Sequence, residues 1–217
     1  MREKKKMSRA RLIVVSAPSG CGKGTIIAEA FKNRDVYYSV SYTTRQKRPG
    51  EKEGESYFFV TRKEFEEMID GREFLEYARY TDNYYGTPKM PVFEHLARGT
   101  DVVLEIDTVG AFQIKKAYAD AVLVFILPPT VSELTRRLKK RGTETDDVIK
   151  QRVSQARREI RAAYHYDYVI MNDGLDEAVR DFLTVIDSVR EEKDDIIRFS
   201  TKHDDAVKMI EKVITNA

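Results

Sequence analysis

The chain has 217 residues, which is enough to bury a sizeable core in one domain, with or without inserted lobes. Lysine and arginine total 38 and aspartate and glutamate 36, so the net charge of +2 argues against nucleic-acid binding, which usually needs a stronger basic bias. No apolar run is long enough to span a membrane, and no secretory signal precedes Cys21, the single cysteine, so we expect a reducing cytoplasmic location.

A glycine-rich turn follows the first predicted strand, Leu12–Ser16, which itself follows a basic arm at residues 1–10. The turn reads Ala17-Pro18-Ser19-Gly20-Cys21-Gly22-Lys23-Gly24-Thr25 and leads into a helix predicted over Thr25–Lys32. Backbone N–H groups and the helix dipole at such a turn bind phosphates, Lys23 would reach the outer phosphates, and the Thr25 hydroxyl would sit on Mg²⁺. Alanine at position 17 and glycine at 24 depart from the strict phosphate-loop pattern, and the alternative is an ordinary strand-to-helix turn.

Residues 37–87 interrupt the rhythm of strands and helices. They contain β-prone pieces at Tyr37–Thr43 and Tyr57–Thr61 and a short helical pattern at Lys63–Asp70. This composition predicts an inserted lobe rather than another strand–helix unit.

The rest of the chain alternates apolar strands with helical patterns. The strands are predicted at Val102–Ile106, Val122–Leu127 and Tyr168–Met171, and the helices at Val92–Arg98, Val109–Ala119, Val131–Lys140 and Leu175–Val189. A capping box at Thr130-Val131-Ser132-Glu133 marks one helix start. The pattern predicts an α/β fold, a parallel sheet flanked by helices, with ligands bound where the strands end, at Ser16, Asp107, Pro128 and Asn172.

Residues 136–163 are rich in arginine, and they predict a hinged flap that carries cations. The alternative is a solvent-facing helix held by i,i+4 charge pairs.

Beyond residue 190, apolar residues recur at helical spacing from Ala206 to Ile214 and predict one more amphipathic helix.

Ordered motifs over residues 11–190 resemble the guanylate kinase family. They are the glycine-rich turn, Ser39-Val40-Ser41-Tyr42-Thr43-Thr44-Arg45, Arg48-Pro49-Gly50-Glu51, Gly54-Glu55-Ser56-Tyr57, Phe74-Leu75-Glu76, Asn83-Tyr84-Tyr85-Gly86-Thr87, Leu104-Glu105-Ile106-Asp107, Arg141-Gly142-Thr143-Glu144 and Asn172-Asp173-Gly174-Leu175. The resemblance implies a phosphate-loop nucleotide-binding core at 11–36, 88–135 and 164–190, a GMP-binding lobe at 37–87 and a lid at 136–163. Residues 191–217 would form a helical extension.

The resemblance also implies an activity, the Mg²⁺-dependent transfer of the γ-phosphoryl group of ATP to GMP or dGMP, giving ADP and GDP. By position, the GMP phosphate would bind Arg45, Arg48, Tyr57 and Tyr85, and guanine would bind Ser41, Glu76 and Glu105, with Thr87 assisting. Asp107 would lie beside GMP and reach the metal through water. The lid would supply Arg137, Arg141 and Arg152, which would act in catalysis with Lys23 and Arg45, and Asn172 would lie near adenine.

Other functions stay open on these residues. A phosphotransferase for another small acceptor would not need the guanine-edge set, and a non-catalytic guanylate-kinase-like binding module would not need the intact phosphate loop. Val109 stands where the family more often has glutamine, so no role is assigned to it. Cys21 is either a small tolerated side chain or a thiol whose alkylation would block ATP. The sequence does not decide whether the chain is a monomer or a homo-oligomer.

Overall fold

The computed structural model describes residues 10–80, 82–140, 145–191 and 196–215, so Arg141 of the predicted lid lies outside the described residues. The strands, numbered in chain order, are β1 (Leu12–Ser16), β2 (Val36–Ser39), β3 (Tyr42–Thr43), β4 (Phe58–Phe59), β5 (Phe74–Tyr80), β6 (Asn83–Pro88), β7 (Asp101–Glu105), β8 (Val122–Leu127) and β9 (Tyr168–Met171). The helices are α1 (Lys23–Phe31), α2 (Arg62–Asp70), α3 (Lys89–Ala97), α4 (Thr108–Ala117), α5 (Val131–Lys140), α6 (Asp146–Ala162), α7 (Leu175–Glu191) and α8 (Asp204–Thr215).

The chain forms two compact units. One contains Leu12–Ser16 and Asp35–Leu123, and we call it the two-sheet unit. The other contains Ala10 and Arg11, Ala17–Arg34 and the described residues from Val124 to Thr215, and we call it the phosphate-loop unit.

The first sheet of the two-sheet unit is parallel. Strand β7 lies between β2 and β1, with Leu104 opposite both Ser39 and Val14. Every residue of β1 is buried, as expected for a strand covered on both faces. Helix α4 packs against β1, and α3 packs against β2 and β7.

The second sheet has the strand order β4-β3-β6-β5. Helix α2 begins with a complete capping box, in which Glu64 N–H donates to Thr61 Oγ1 at 3.2 Å and Thr61 N–H donates to Glu64 Oε2 at 2.7 Å. Phe65 of this helix stacks on Phe74 with ring centroids 4.4 Å apart. A Cβ at Gly86 would lie 2.8 Å from the Phe74 ring, so only glycine at this position allows the aromatic core to close.

In the phosphate-loop unit, β8 and β9 pair in parallel, with Ile126 opposite Ile170. Helices α7 and α8 pack against β9, α1 packs against α7, and α5 and α8 pack against α6. The buried face of α8 consists of Ala206, Ile210 and Val213, which confirms the predicted amphipathic helix. Among the described residues, no helix is both long and apolar enough to cross a membrane.

The predicted α/β class is confirmed, with differences at particular elements. Helix α3 begins at Lys89 rather than Val92, since Pro91 fits within a first helical turn, where its missing N–H costs nothing. The β-prone piece 37–43 divides between two sheets, because Val36–Ser39 pairs with β7 whereas Tyr42–Thr43 pairs with β6. The hairpin of β5 and β6 was not predicted as strands.

Candidate active site

Glycine conformations set the shape of the phosphate loop. Gly20 and Gly22 have φ angles of +91° and +83°, which L side chains rarely adopt. A Cβ at Gly20 would also lie 2.8 Å from Leu138 Cδ2 of α5. Gly22 is the N-cap of α1, so the exposed Thr25 and the half-buried Lys23 lie in the first helical turn, where N–H groups attract anions.

The side chain of Asn172 holds this loop by a hydrogen bond to its backbone. Its Nδ2 donates to the Cys21 carbonyl at 2.6 Å, and its own backbone N–H donates to the Leu127 carbonyl at 2.8 Å. A Cβ at Gly22 would lie 2.7 Å from the same Nδ2. The contact that the structure shows for the Asn172 side chain is therefore with the loop, and the predicted adenine role stays a prediction.

Two of the predicted lid arginines contact the phosphate loop or Asn172. Arg152 Nη1 of α6 donates to Ser19 Oγ at 3.0 Å, and Arg137 Nη2 of α5 donates to the Asn172 carbonyl at 3.2 Å. Arg137 also donates to Glu133, whose hydrogen bonds with Arg136 and then Arg137 lower its pKa to about 2. The carboxylate therefore stays ionised and fixes the direction of the Arg137 guanidinium.

Cys21 is fully buried inside the loop, and its Sγ donates to the Ile126 carbonyl at 3.5 Å. Burial raises the pKa of the thiol to about 12, although the charges of Arg137 and Lys23 act in the opposite direction. A buried, protonated thiol is a poor nucleophile. The geometry favours the interpretation of Cys21 as a small packing residue.

A buried carboxylate lies in the two-sheet unit. Glu76 of β5 is 5 % exposed, and its Oε1 accepts a 2.6 Å hydrogen bond from Thr87 Oγ1, directly opposite on β6. Burial, with a smaller contribution from the charge of Asp107, raises the pKa of Glu76 to about 7 against the opposing effect of Thr87. A Cβ at Gly110 would lie 2.9 Å from Glu76 Cδ, so α4 leaves room for this carboxylate only because it has glycine there.

A second cluster in the same unit joins arginine, glutamate and tyrosines. Arg45 donates to both carboxylate oxygens of Glu51, at 2.7 and 3.0 Å, and Glu51 also accepts the Arg48 N–H at 2.8 Å. The Arg45 guanidinium lies 5.4 Å from the centre of the Tyr57 ring, which packs edge-on against Tyr85 at 5.9 Å. Burial acts to lower the pKa of Arg45, but its bonds to Glu51 raise it overall.

Glu105 ends β7 and accepts a 2.6 Å hydrogen bond from Tyr38 Oη. Burial and then the charge of Glu105 raise the pKa of Tyr57 to about 12. Ser41 contributes a carbonyl that accepts Phe58 N–H at 2.9 Å and joins β3 to β4. Sequence reasoning missed Tyr38 and Glu51, although Arg45-x-x-Arg48-x-x-Glu51 carries a charge pattern that would have indicated the latter.

The oxygen donors suggested for a metal are Thr25 and Asp107. Asp107 caps α4, where its Oδ1 accepts the Gly110 N–H at 2.8 Å, and Thr25 is exposed on α1. Hydroxyl and carboxylate oxygens suit Mg²⁺, which usually keeps several waters and takes few protein ligands. Within residues 10–80, 82–140, 145–191 and 196–215, no group of three or more His, Cys, Asp or Glu side chains could hold a metal ion.

Comparison with known proteins gives consistent results. The family model described as guanylate kinase matches residues 9–189. A guanylate kinase of Carboxydothermus hydrogenoformans is 54 % identical over 181 residues, which cover 83 % of this chain and 89 % of that protein. One of Thermus thermophilus is 49 % identical over 182 residues, covering 84 % and 83 %. The crystal structure of guanylate kinase from Anaplasma phagocytophilum has a TM-score of 0.72 at 32 % identity and covers 86 % of this chain and 88 % of its own.

Proposed function

The chain belongs to the guanylate kinase family, and from that membership we propose that it transfers the γ-phosphoryl group of ATP to GMP, giving ADP and GDP, and also to dGMP, giving ADP and dGDP. The observation that carries the assignment of the acceptor is the buried Glu76 carboxylate with its hydroxyl partner Thr87. The predicted division into a GMP-binding lobe at 37–87 and a lid at 136–163 is part of this proposal.

Guanine presents N1–H and its 2-amino group as adjacent donors, and a carboxylate is the matching acceptor. Thr87 fixes one oxygen of Glu76, which leaves the carboxylate oriented for such an edge. Adenine has an acceptor at N1 and no 2-amino group, so it would leave a buried carboxylate unpaired. The hydrogen bonds that adenine cannot make to this carboxylate can favour GMP over AMP by about 10⁴-fold. Ser41 and Glu105 would complete the base site, with Asp107 nearby.

The GMP phosphate would bind the cluster of Arg45, Arg48, Tyr57 and Tyr85. Guanidinium groups bind a dianionic phosphate bidentately, and the tyrosine hydroxyls donate further hydrogen bonds. Glu51 already orients Arg45 and the Arg48 backbone, so part of this site is organised in advance. Preorganisation of this kind reduces the entropy lost on binding.

The transfer itself needs positioning and charge stabilisation rather than a general base, because the attacking GMP oxygen is already anionic. ATP would bind the loop residues 17–25, and Lys23 would contact the outer phosphates. Asn172 would hold the loop by its hydrogen bond to the Cys21 carbonyl. Arg137, Arg141 and Arg152 would stabilise negative charge on the transferring oxygens. The contact between Arg152 and Ser19 supports this role for Arg152.

Magnesium would be held by Thr25, with Asp107 acting through water, and when bound it neutralises phosphate charge. The near-balanced net charge of +2 favours small-molecule partners over nucleic acid. We also propose a reducing cytoplasmic location, which the single buried thiol supports.

The experiment that tests this proposal measures ADP release from ATP and Mg²⁺ with GMP, AMP, UMP or ribose 1,5-bisphosphate as the acceptor. Turnover with GMP alone is the expected result. Preference for ribose 1,5-bisphosphate would overturn the base assignment and favour another phosphotransferase. Binding of GMP without turnover would favour the non-catalytic binding module.

A further inference from the structure

We propose that Tyr38 is a positioning residue for acceptor binding, because its hydroxyl holds Glu105 in the orientation that the base site needs. This inference rests on the proposed function. Neither the composition nor the motifs of the sequence single out Tyr38, and its contact with Glu105 is visible only once β2 is placed beside β7.

The register of the two strands brings the side chains together. Tyr38 on β2 lies opposite Val103 on β7, two residues before Glu105. Paired residues share one face of a sheet, and side chains two residues apart share it too, so all three point the same way. Two residues of β7 rise about 6.6 Å, which is close to the reach of a tyrosine hydroxyl from its own Cα. The ring therefore lies along the sheet and meets the carboxylate where β7 ends.

The contact has the geometry of a strong hydrogen bond. Tyr38 Oη donates to Glu105 Oε2 at 2.6 Å, within the range of an O–H donor on a carboxylate. Although Tyr38 is 39 % exposed, desolvation by its surroundings and then the charge of Glu105 raise the pKa of its hydroxyl, so the hydroxyl remains a donor at any working pH. This hydrogen bond fixes one carboxylate oxygen of Glu105. It limits rotation of the side chain and therefore sets the direction of the second oxygen.

A fixed carboxylate binds a donor edge more tightly than one that rotates, since less side-chain freedom is lost on binding. The effect belongs to binding of the acceptor, because Tyr38 acts on Glu105 and is assigned no contact with the transferring group. Tyr38→Phe should therefore raise KM for GMP about 3- to 10-fold, which is less than the direct loss of a hydrogen bond to a charged group, because Tyr38 acts on the nucleotide only through Glu105. The value of kcat should stay within about twofold, since no interaction with the transition state alone is lost.

The matched control is Tyr37→Phe, the same loss of one hydroxyl at the adjacent position. Tyr37 points to the other face of the strand and stacks on His95 of α3, with ring centroids 3.9 Å apart. Thermal unfolding of both variants, monitored by circular dichroism, checks that each retains the wild-type midpoint. We expect Tyr37→Phe to bind GMP like the wild type.

The decisive test is a double-mutant cycle with Glu105→Gln, measured as GMP affinity by calorimetry and as KM. If Tyr38 acts through the carboxylate, Tyr38→Phe weakens GMP binding in the wild type and has little further effect in Glu105→Gln. A Tyr38→Phe variant equal to Tyr37→Phe, or one whose full effect persists beside Glu105→Gln, would overturn the inference while leaving the kinase activity in place. Failure of the wild-type protein to use GMP would instead show that the proposed function is wrong, and the inference would fall with it.

Discussion

The phosphate-loop unit and the two-sheet unit build their polar sites in different ways. In the first, the loop is shaped by its backbone, because Gly20 and Gly22 adopt positive φ angles and the Asn172 side-chain amide donates to the Cys21 carbonyl. In the second, the site is shaped by side chains that fix one another, such as Thr87 on Glu76. Under the proposed function, binding of the ATP phosphates would depend on a contiguous segment of the chain, whereas recognition of GMP would depend on strands brought together by folding.

The largest effect should come from the phosphate loop. Lys23→Met is expected to lower kcat about 10²- to 10³-fold with little change in KM for GMP, because it removes a cation that acts mainly on charge in the transition state. Steady-state kinetics with GMP and ATP varied separately measures this.

The control is Lys32→Met at the exposed C-terminal end of α1, where the lysine contacts only Glu29 among the ion pairs described for it, at 3.7 Å. Surface ion pairs of this kind contribute little. A Lys23→Met enzyme with unchanged kcat would contradict the role of the loop and remove the contrast between the two units.

A pH dependence of GMP binding is expected from Glu76 in the two-sheet unit. The pKa of Glu76 is raised to about 7, so below that pH the carboxyl is protonated in the free protein and must lose its proton to accept both guanine donors. KM for GMP should therefore rise by up to tenfold for each pH unit below about 7, and level off above it.

Glu76→Gln separates this effect from the titration of the GMP phosphate, whose second pKa is about 6. The variant should lose the part of the profile centred near pH 7 and keep only the part due to the nucleotide. KM for ATP measured over the same range is expected to lack the Glu76 component. A wild-type GMP profile that matches the Glu76→Gln profile would contradict the assignment.

A smaller effect should follow from filling the space beside Glu76. Gly110→Ala places a Cβ 2.9 Å from Glu76 Cδ, so the carboxylate must shift, and we expect KM for GMP to rise about tenfold. Gly174→Ala is the matched control, since a Cβ there meets nothing within 4 Å. Equal KM values for the two variants would show that the position of the Glu76 carboxylate is not critical.

The smallest effect is expected at Cys21. A thiol that is fully buried, with a pKa raised to about 12, has roughly one part in 10⁴ as thiolate at pH 8, so alkylating reagents should leave the folded enzyme unlabelled and active. Mass spectrometry of the folded protein after treatment with iodoacetamide measures this, and the protein unfolded in urea serves as the positive control. Rapid labelling with loss of activity would show that the loop opens far more than its glycine and Asn172 contacts indicate.

The difference between the two units also explains which parts of the fold and of the site the sequence predicts. The strands β1, β8 and β9 follow from uninterrupted apolar runs, and the loop follows from glycines next to a lysine, because all of these signals are local. Residues of the base site, such as Glu76, gain meaning only from the resemblance to a family. Tyr38 is found by neither route, since its role depends on strand register. The β5 and β6 hairpin was missed because burial alternates along β5 but hydrophobicity does not, since Glu76 is buried and Tyr77 is exposed.

The central claim is that the phosphate loop governs the transfer and Glu76 governs the choice of base. It is tested most directly by kcat/KM for GMP and for IMP, which lacks the 2-amino group, in the wild type, Lys23→Met and Glu76→Gln. Lys23→Met should lower both values by the same factor and keep their ratio, whereas Glu76→Gln should lower the value for GMP more and bring the ratio towards one. A changed ratio in Lys23→Met, or an unchanged ratio in Glu76→Gln, would contradict the claim.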